Sequence, residues 1–278
     1  EKDDKSISLH AGGSTTQIHT IPHEEFPTLP ITSGGARFTI SIKALCAGIR
    51  SVSYAASTST IRPEFASIFI SHKDGFLVCA ATDSFRLAEK KISIQSSEEI
   101  PEILIPAKNA TDLCHLFEKT EHTNAECTIS DQQIHVRSGD ISFISRVVDA
   151  SFPQYETIIP TKADTEVTLL KEDLINTLQK ARAFSGDAQH VGFHVYPKKR
   201  IFSISAQHAS TGTMADTVDA ALSGDDIDIK FSIPLIQDCI QAISTDSVVM
   251  RFAGIGKPLV LKGVSDDTFL YLVMPLNK

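Results

Sequence analysis

Three histidines are the first residues in this sequence whose spacing could do chemistry. His190 and His194 stand four apart in HVGFHVY, and His208 follows in the next alternating run. Side chains two or four apart on a strand share a face. Two imidazoles could therefore meet a metal ion, with His208 approaching as a third ligand. No carboxylate or cysteine at a fixed offset completes the set, and the simpler reading is a solvated strand face. The stretch GIGKPL, Gly254 to Leu259, has the look of a phosphate loop. It lacks the loop's spacing, puts Pro258 where Ser or Thr must reach magnesium, and has no helix after it. Cys114 and His115 are adjacent, so on a helix they point about 100° apart and make a poor nucleophile–base pair. Asp83 and Arg86, three apart in ATDSFRLA, read as a salt bridge at a strand end. The five cysteines, Cys46, Cys79, Cys114, Cys127 and Cys239, include no CxxC pair. Their odd number and scatter argue against a zinc site or disulfide framework, and for small buried hydrophobes. No HExxH or GxSxG signature occurs. The expectation is a protein with no catalytic residues, no metal and no cofactor. The competing expectation, an enzyme or metal protein on a repeated α+β scaffold, rests on the histidines near His190.

The chain that positions these residues has 278 residues, 42% of them hydrophobic and 22% charged, with a net charge of −8. That is ordinary globular composition, long enough for about two domains. No apolar run approaches the ~18 residues of a membrane span, and residues 1–20 lack a signal core, so the expected compartment is the cytoplasm. The acidic balance disfavours an openly adhesive nucleic-acid binder. It leaves room for a local basic surface on an acidic body.

One phrase recurs along the chain. EEFPTLP (Glu24 to Pro30) and ASFPQYETIIP (Ala150 to Pro160) both set Phe-Pro after a polar residue, and YLVMPLNK places a third proline. The period is about 125 residues, and a β-rich run precedes each mark. Between the marks, RFTISIKALCAGIRSVSYAAS matches EVTLLKEDLINTLQKARAFS, each a strand leading into a helix. Alternating strand pairs follow, broken at Lys73-Asp74-Gly75 and at Pro197-Lys198-Lys199. EILIPAKNATDLCHLFEKT then matches IKFSIPLIQDCIQAIST, each a short strand, Ile-Pro and a helix, with proline suited to the first helical turn. Three alternating strands close each unit.

The expected fold is therefore α+β: repeated domains, each with two helices packed on antiparallel sheets. The expected boundaries are 1–36 for the C-terminal remnant of a first repeat plus linker, 37–160 for a middle domain and 161–278 for a last domain. Residues 1–30 are too few to bury a core. They are expected to be poorly ordered or to borrow an edge from the next domain, with roughly 90 residues of their repeat missing in front.

At 100° per residue, the first helix buries Ile42, Leu45, Ile49, Val52 and Ala56 and turns Lys43, Ala47, Arg50, Ser51 and Tyr54 outward. The second buries Ala110, Leu113, Cys114 and Phe117, with Lys108, Thr111, His115, Glu118 and Lys119 opposite. The third buries Leu170, Leu174, Leu178 and Ala181, exposes Asn176 and Gln179, and carries Lys171 and Lys180 on its rims. The fourth buries Ile236, Cys239, Ile240 and Ile243 and exposes Gln237 and Gln241. These outer faces are less acidic than the chain as a whole. They suit either a plain solvated face or weak, sequence-independent contact with a polyanion.

The repeat, together with AATDSFRLA, IPAK, VVDASFPQYETIIP and the terminal YLVMPL, resembles the bacterial sliding clamps, the beta subunits of DNA polymerase III, over essentially the whole chain. The resemblance implies the DNA clamp fold, with three domains per subunit and two subunits closing a ring on duplex DNA. Helices would line the hole and sheets would form the outside. It implies a non-catalytic processivity factor that is a homodimer when full length. A chain lacking most of its first domain is expected to stay monomeric. The implied partners are sequence-independent double-stranded DNA, the DNA polymerase III alpha subunit, the clamp loader and other proteins bearing a clamp-binding motif.

Carried over position by position, the resemblance implies a peptide groove between the middle and last domains. Phe65, Thr82, Ser84, Phe85, Arg86 and Leu87 would come from the middle domain, and Pro153, Thr157 and Ile158 from the linker. Leu235 and Pro258 would come from the last domain, and Leu272, Val273, Met274, Pro275 and Leu276 from the tail. The implied DNA-facing residues are Lys43, Arg50, Arg62, Lys108, Lys119 and Lys171. Phe85 stands where some members have histidine, Thr157 where some have arginine, and the tail ends in PLNK. These departures bear on which peptides the groove would prefer.

Overall fold

The computed structural model describes residues 2–3, 5–26, 34–94 and 99–276. The chain forms two compact units, Glu1–Ser33 and Gly34–Lys278. In the first, β1 (Lys2–Asp3), β2 (Ser6–Ala11) and β3 (Ser14–His19) make an antiparallel meander with Ile7 opposite Ile18. Residues 2–3, 6–11 and 14–19 thus build a sheet of their own, where poor order or a borrowed edge was expected. The physical reason is local. Ala11 pairs with Ser14 across Gly12-Gly13, with Gly12 at φ 60°, so a two-residue turn satisfies the hairpin's backbone without a donor edge. The proline mark at 27–30 lies outside the described residues.

The second unit is built twice over. β4 (Ala36–Ser41) runs into α1 (Ile42–Ser53), and β5 (Ser67–Lys73), β6 (Phe76–Thr82) and β7 (Arg86–Ser93) form a meander. β8 (Ile103–Pro106) then runs into α2 (Ala107–Phe117), and β9 (Asn124–Ile129), β10 (Gln133–Ser138) and β11 (Ile141–Arg146) follow. The second half opens with β12 (Thr165–Leu170) and α3 (Lys171–Ala183). β13 (His190–Tyr196), β14 (Ile201–His208), β15 (Gly212–Thr217) and β16 (Ala220–Gly224) come next. β17 (Ile227–Ser232) feeds α4 (Ile233–Ile240), and β18 (Ser247–Phe252), β19 (Leu259–Gly263) and β20 (Phe269–Val273) close it. Only β16, a five-residue edge strand without clear alternation, escapes the sequence reading. The β5–β6 turn is Asp74-Gly75, both at positive φ, as a tight two-residue hairpin requires.

Three sheets result. Two have four strands, β11-β10-β9-β4 and β15-β14-β13-β17. The third has nine, β16-β12-β18-β19-β20-β7-β6-β5-β8, and crosses from one repeat to the other. The crossing is the β20–β7 ladder, which sets Leu272 opposite Leu87 and Tyr271 opposite Ala88. Both faces of the middle-repeat strands are covered, so β5 and β6 are almost continuously buried where alternation was expected. On one face Ile68, Ile70, Leu77, Cys79 and Ala88 join the main core with α1 and α2. On the other, Phe69, Ala80, Leu87, Leu104 and Leu272 form a second core with Tyr155, packed by Phe152. Register explains this second core: Leu270, Glu89, Ala80, Phe69 and Leu104 lie in one row across five paired strands.

The helices bury the apolar arcs read from the sequence, with Cys46 and Gly48 added on α1, Thr177 on α3 and Ile233 on α4. Two side chains depart. Leu170 is 54% exposed because α3 begins at Lys171, leaving Leu170 as an extended N-cap off the helical wheel. Tyr54 lies just past the end of α1, so it does not follow the outward face. Its hydroxyl is buried and its ring lies 6.0 Å from that of Tyr271.

Candidate functional site

The turn from β6 to β7 is organised by one carboxylate. Asp83 Oδ1 accepts the backbone N–H groups of Phe85 (3.0 Å) and Arg86 (3.1 Å), while Oδ2 accepts Arg86 Nε at 2.9 Å. The Thr82 hydroxyl donates to the Arg86 carbonyl at 2.6 Å and accepts from Ser84 N at 3.2 Å. Ser84 sits at φ 79°, in the left-handed region. This tight turn sends two neighbours opposite ways. Phe85 is thrust out, 66% exposed. Arg86 turns in and reaches Asp238 of α4 at 2.5 Å, its guanidinium 5.8 Å from the Tyr54 ring centre. The salt bridge read from ATDSFRLA is present, and it extends across the two repeats.

The C-terminal tail is tied to the same turn. Met274 N donates to the Phe85 carbonyl at 2.8 Å, and Leu276 N donates to the Lys230 carbonyl at 2.9 Å. The connector between the repeats forms the facing wall. Its 3-10 turn Tyr155–Ile158 starts with a buried tyrosine whose hydroxyl donates to Glu89 Oε2 at 2.6 Å. Burial, and then the Glu89 charge, push that hydroxyl well above its ordinary pKa. Phe152 stacks on Phe69 with ring centres 4.7 Å apart, and Tyr155 meets both rings edge-on. The outer side of the turn is held by Lys73, whose ammonium contacts both Glu156 oxygens at 2.7 and 2.9 Å.

Between turn, tail and connector lies a pocket of about 150 Å³. Phe65, Thr82, Ser84, Phe85, Arg86 and Leu87 line it from the first half. Pro153, Gln154, Tyr155 and Ile158 line it from the connector, and Leu272 and Met274 from the last strand and tail. The wall is mainly apolar, with hydroxyls at Thr82 and Ser84, which suits an apolar side chain held by a few polar contacts.

The remaining groove residues inferred from the sequence lie elsewhere. Val273 alternates with Leu272 and Met274, so it points into the main core and is fully buried. Leu235 packs against that core, and its carbonyl accepts the Tyr271 hydroxyl at 2.5 Å. Pro258 is buried just before β19. Thr157 is exposed and folds its hydroxyl back onto the Gln154 carbonyl at 2.8 Å. Pro275 and Leu276 are half-buried in the tail, outside the pocket lining. Gln154 and Tyr155 were missed. The available signal was their place inside ASFPQYETIIP, where a buried aromatic must anchor a proline-bounded connector.

The basic residues divide into two groups. Lys43, Lys108 and Lys119 are exposed on or just after α1 and α2, and make no ion pair among the described residues. Arg50 pairs with Glu118 across these helices. Arg62 pairs with Glu64 at 2.9 Å and lies 4.0 Å over the Phe65 ring, behind the pocket wall. Lys171 donates to the Ile243 carbonyl at 2.9 Å, where the chain leaves α4.

Two of the three histidines, His194 and His208, are engaged with local partners. His194 bonds Asp228 through Nδ1 (2.5 Å) and Ser205 through Nε2 (2.7 Å), and His208 Nδ1 contacts Ser210 Oγ at 2.9 Å. Among the described residues no group of three or more His, Cys, Asp or Glu side chains could hold a metal ion. No helix among them is long and apolar enough to cross a membrane.

Comparison with known proteins bears on the repeated fold. Residues 39–154 match the family model for the central domain of the DNA polymerase III beta subunit, and residues 156–277 match the model for its C-terminal domain. The beta sliding clamp of Staphylococcus epidermidis is 25% identical over 270 residues, spanning 97% of this chain and 71% of that one. The sliding clamp structure from Bacillus subtilis superposes with a TM-score of 0.92 at 22% identity, covering 100% of this chain and 73% of that one. The beta subunit structure from Thermotoga maritima gives 0.93 at 22%, covering 100% and 75%. Sliding clamps of this kind are non-catalytic processivity factors. With both domain models matched in order over most of its length, the chain belongs to the bacterial DNA polymerase III beta subunit family, the beta sliding clamps.

Proposed function

We propose that this chain works as part of a cytoplasmic ring that encircles duplex DNA and tethers replication proteins through the pocket at the junction of its repeats. Residues 37–160 and 161–278 act as the middle and C-terminal clamp domains. The full-length subunit is a homodimer. The observation that carries the reading is the composition of the pocket. One turn, one connector and one tail, drawn from both repeats, converge on a small apolar cavity with an exposed aromatic, Phe85, at its mouth. Such a cavity fits an apolar side chain of a short linear peptide, as carried by the polymerase alpha subunit, the clamp loader and other clamp-binding proteins. Lys43, Arg50, Lys108 and Lys119 share one pair of packed helices, and Arg62 and Lys171 complete the DNA-facing set. Contacts through such residues are with phosphate, independent of sequence and weak on an acidic body. Encirclement supplies the retention that charge does not.

The test is titration of a consensus clamp-binding peptide against the wild-type chain and Met274→Ala. Met274 lines the cavity from the tail, so the variant should bind about tenfold more weakly, a loss of about 1.4 kcal/mol. Absence of binding by the wild type at high micromolar peptide, or equal affinity for both proteins, would overturn the assignment of the pocket.

A further inference from the structure

The sheet β15-β14-β13-β17 is joined across its full width only as far as one row. β13 and β14 pair from Tyr196 opposite Ile201 to Gly192 opposite Ser205, and their ladder stops there. β13 nevertheless runs on beside β17 to His190, opposite Ser232, and β14 runs on beside β15 to His208, opposite Gly212. The two inner strands therefore part into a fork. Its cause is the entry into β13: Gln189 sits at φ 48°, and its carbonyl accepts Ile233 N at 2.8 Å, which draws the start of the strand toward α4. No backbone hydrogen bond among the described residues crosses the fork. The main chain at Val191 and Ala206 thus faces an opening where the ladder would have continued.

A cavity of about 420 Å³ fills this opening. None of the residues lining it is acidic, in a chain of net charge −8. Two of them, Lys230 and His190, are exposed, and among the described residues neither side chain has a hydrogen-bond or ion-pair partner. Asp228, two residues before Lys230 on the same strand face, is already held by His194 Nδ1 at 2.5 Å and the Tyr196 hydroxyl at 2.8 Å. The lysine charge is therefore available to a ligand.

We propose that the fork binds a small phosphomonoester, a phosphate group on a compact organic body of nucleoside size. Lys230 supplies the positive charge, as a lysine does for phosphate elsewhere. The Gln207 amide and the Thr213 hydroxyl, also in the lining, add neutral donors. These three groups stand on three different strands, β17, β14 and β15. A phosphate has three terminal oxygens to meet them, where a carboxylate has two. Ala188, Met214 and Ala215 give the organic body an apolar wall. The volume lies in the range of small-molecule sites, roughly 300–1,000 Å³, and is far more than a bare phosphate fills. The site shares no lining residue with the pocket at the junction of the repeats.

The experiment titrates the nitrogen-15-labelled chain with adenosine monophosphate and follows the amide NMR signals, with adenosine and inorganic phosphate as separate probes. The expected result is saturable shifts centred on His190, Val191, Ala206 and Gln207, with Kd at or below about 1 mM. Adenosine and inorganic phosphate should each bind at least about tenfold more weakly. Lys230→Gln should weaken the monophosphate by about tenfold, and Lys230→Arg should restore it. Both substitutions are at an exposed strand position, and the wild-type titration reads the site without them. Absence of saturable shifts at about 10 mM monophosphate would overturn the proposal. So would shifts centred away from the fork, equal affinity for adenosine or inorganic phosphate, or a Lys230→Gln chain that binds as the wild type does.

Discussion

Tyr155→Phe removes one oxygen atom from the wall of the pocket and leaves the rest of the side chain in place. Tyr155 is 6% exposed, and its ring meets Phe69 and Phe152 edge-on at 6.5 and 5.8 Å. Phenylalanine keeps those contacts, so the substitution isolates the hydroxyl. That hydroxyl donates to Glu89 Oε2 at 2.6 Å, and Glu89 is 8% exposed. Without it, the side-chain partner left to Glu89 is Lys91 Nζ at 3.6 Å. A hydrogen bond to a charged group contributes about 1.5–3 kcal/mol, so stability should fall by about 2 kcal/mol. The same bond holds the start of the turn that carries Ile158 to the pocket, so peptide affinity should fall as well. Urea unfolding followed by circular dichroism measures the first effect, with an unchanged slope showing that stability alone has moved. A double-mutant cycle with Glu89→Gln should return a coupling of at least about 1 kcal/mol. A loss below about 0.5 kcal/mol, or an additive cycle, would refute the reasoning and show that ring packing alone holds the wall.

Two neighbouring residues should separate binding from folding. Phe85→Ala, at a side chain 66% exposed, should change stability by less than about 0.5 kcal/mol while weakening the peptide in the same titration. Leu87→Ala, two residues on and 1% exposed, should cost about 2–5 kcal/mol in urea unfolding. Asp266 gives a pH dependence. Burial raises its carboxyl, but hydrogen bonds from Thr268 and the Lys90 charge outweigh this and hold it below the usual carboxylate value. A depressed carboxylate stabilises the fold above its unfolded pKa, about 3.9, and that contribution is lost as pH falls through the lower folded value. Unfolding midpoints measured from about pH 5 down to about pH 2 should therefore show a loss that Thr268→Val reduces.

Much of the fold was legible because its devices are local. The period-two runs, the Ile-Pro helix starts and the Asp74-Gly75 turn each act within a few residues, and the strands and helices formed where those signals stood. The Asp83–Arg86 pair was legible for the same reason. Leu170 and Tyr54 were misplaced because a helical wheel says nothing about where a helix begins and ends, and one residue outside the end breaks the period. Val273 stands outside the pocket lining because alternation in β20 sends its neighbours one way and Val273 the other.

The sequence by itself determined the repeat, the elements and the family, since each rests on patterns that the chain carries in order. Only the tertiary structure decided which residues share the pocket. The β20–β7 ladder joins positions some 185 residues apart, and with Leu87 held opposite Leu272 the connector can lay Tyr155 over the same sheet face. Pairing across such distances depends on which backbones finally lie side by side, and no local spacing encodes that.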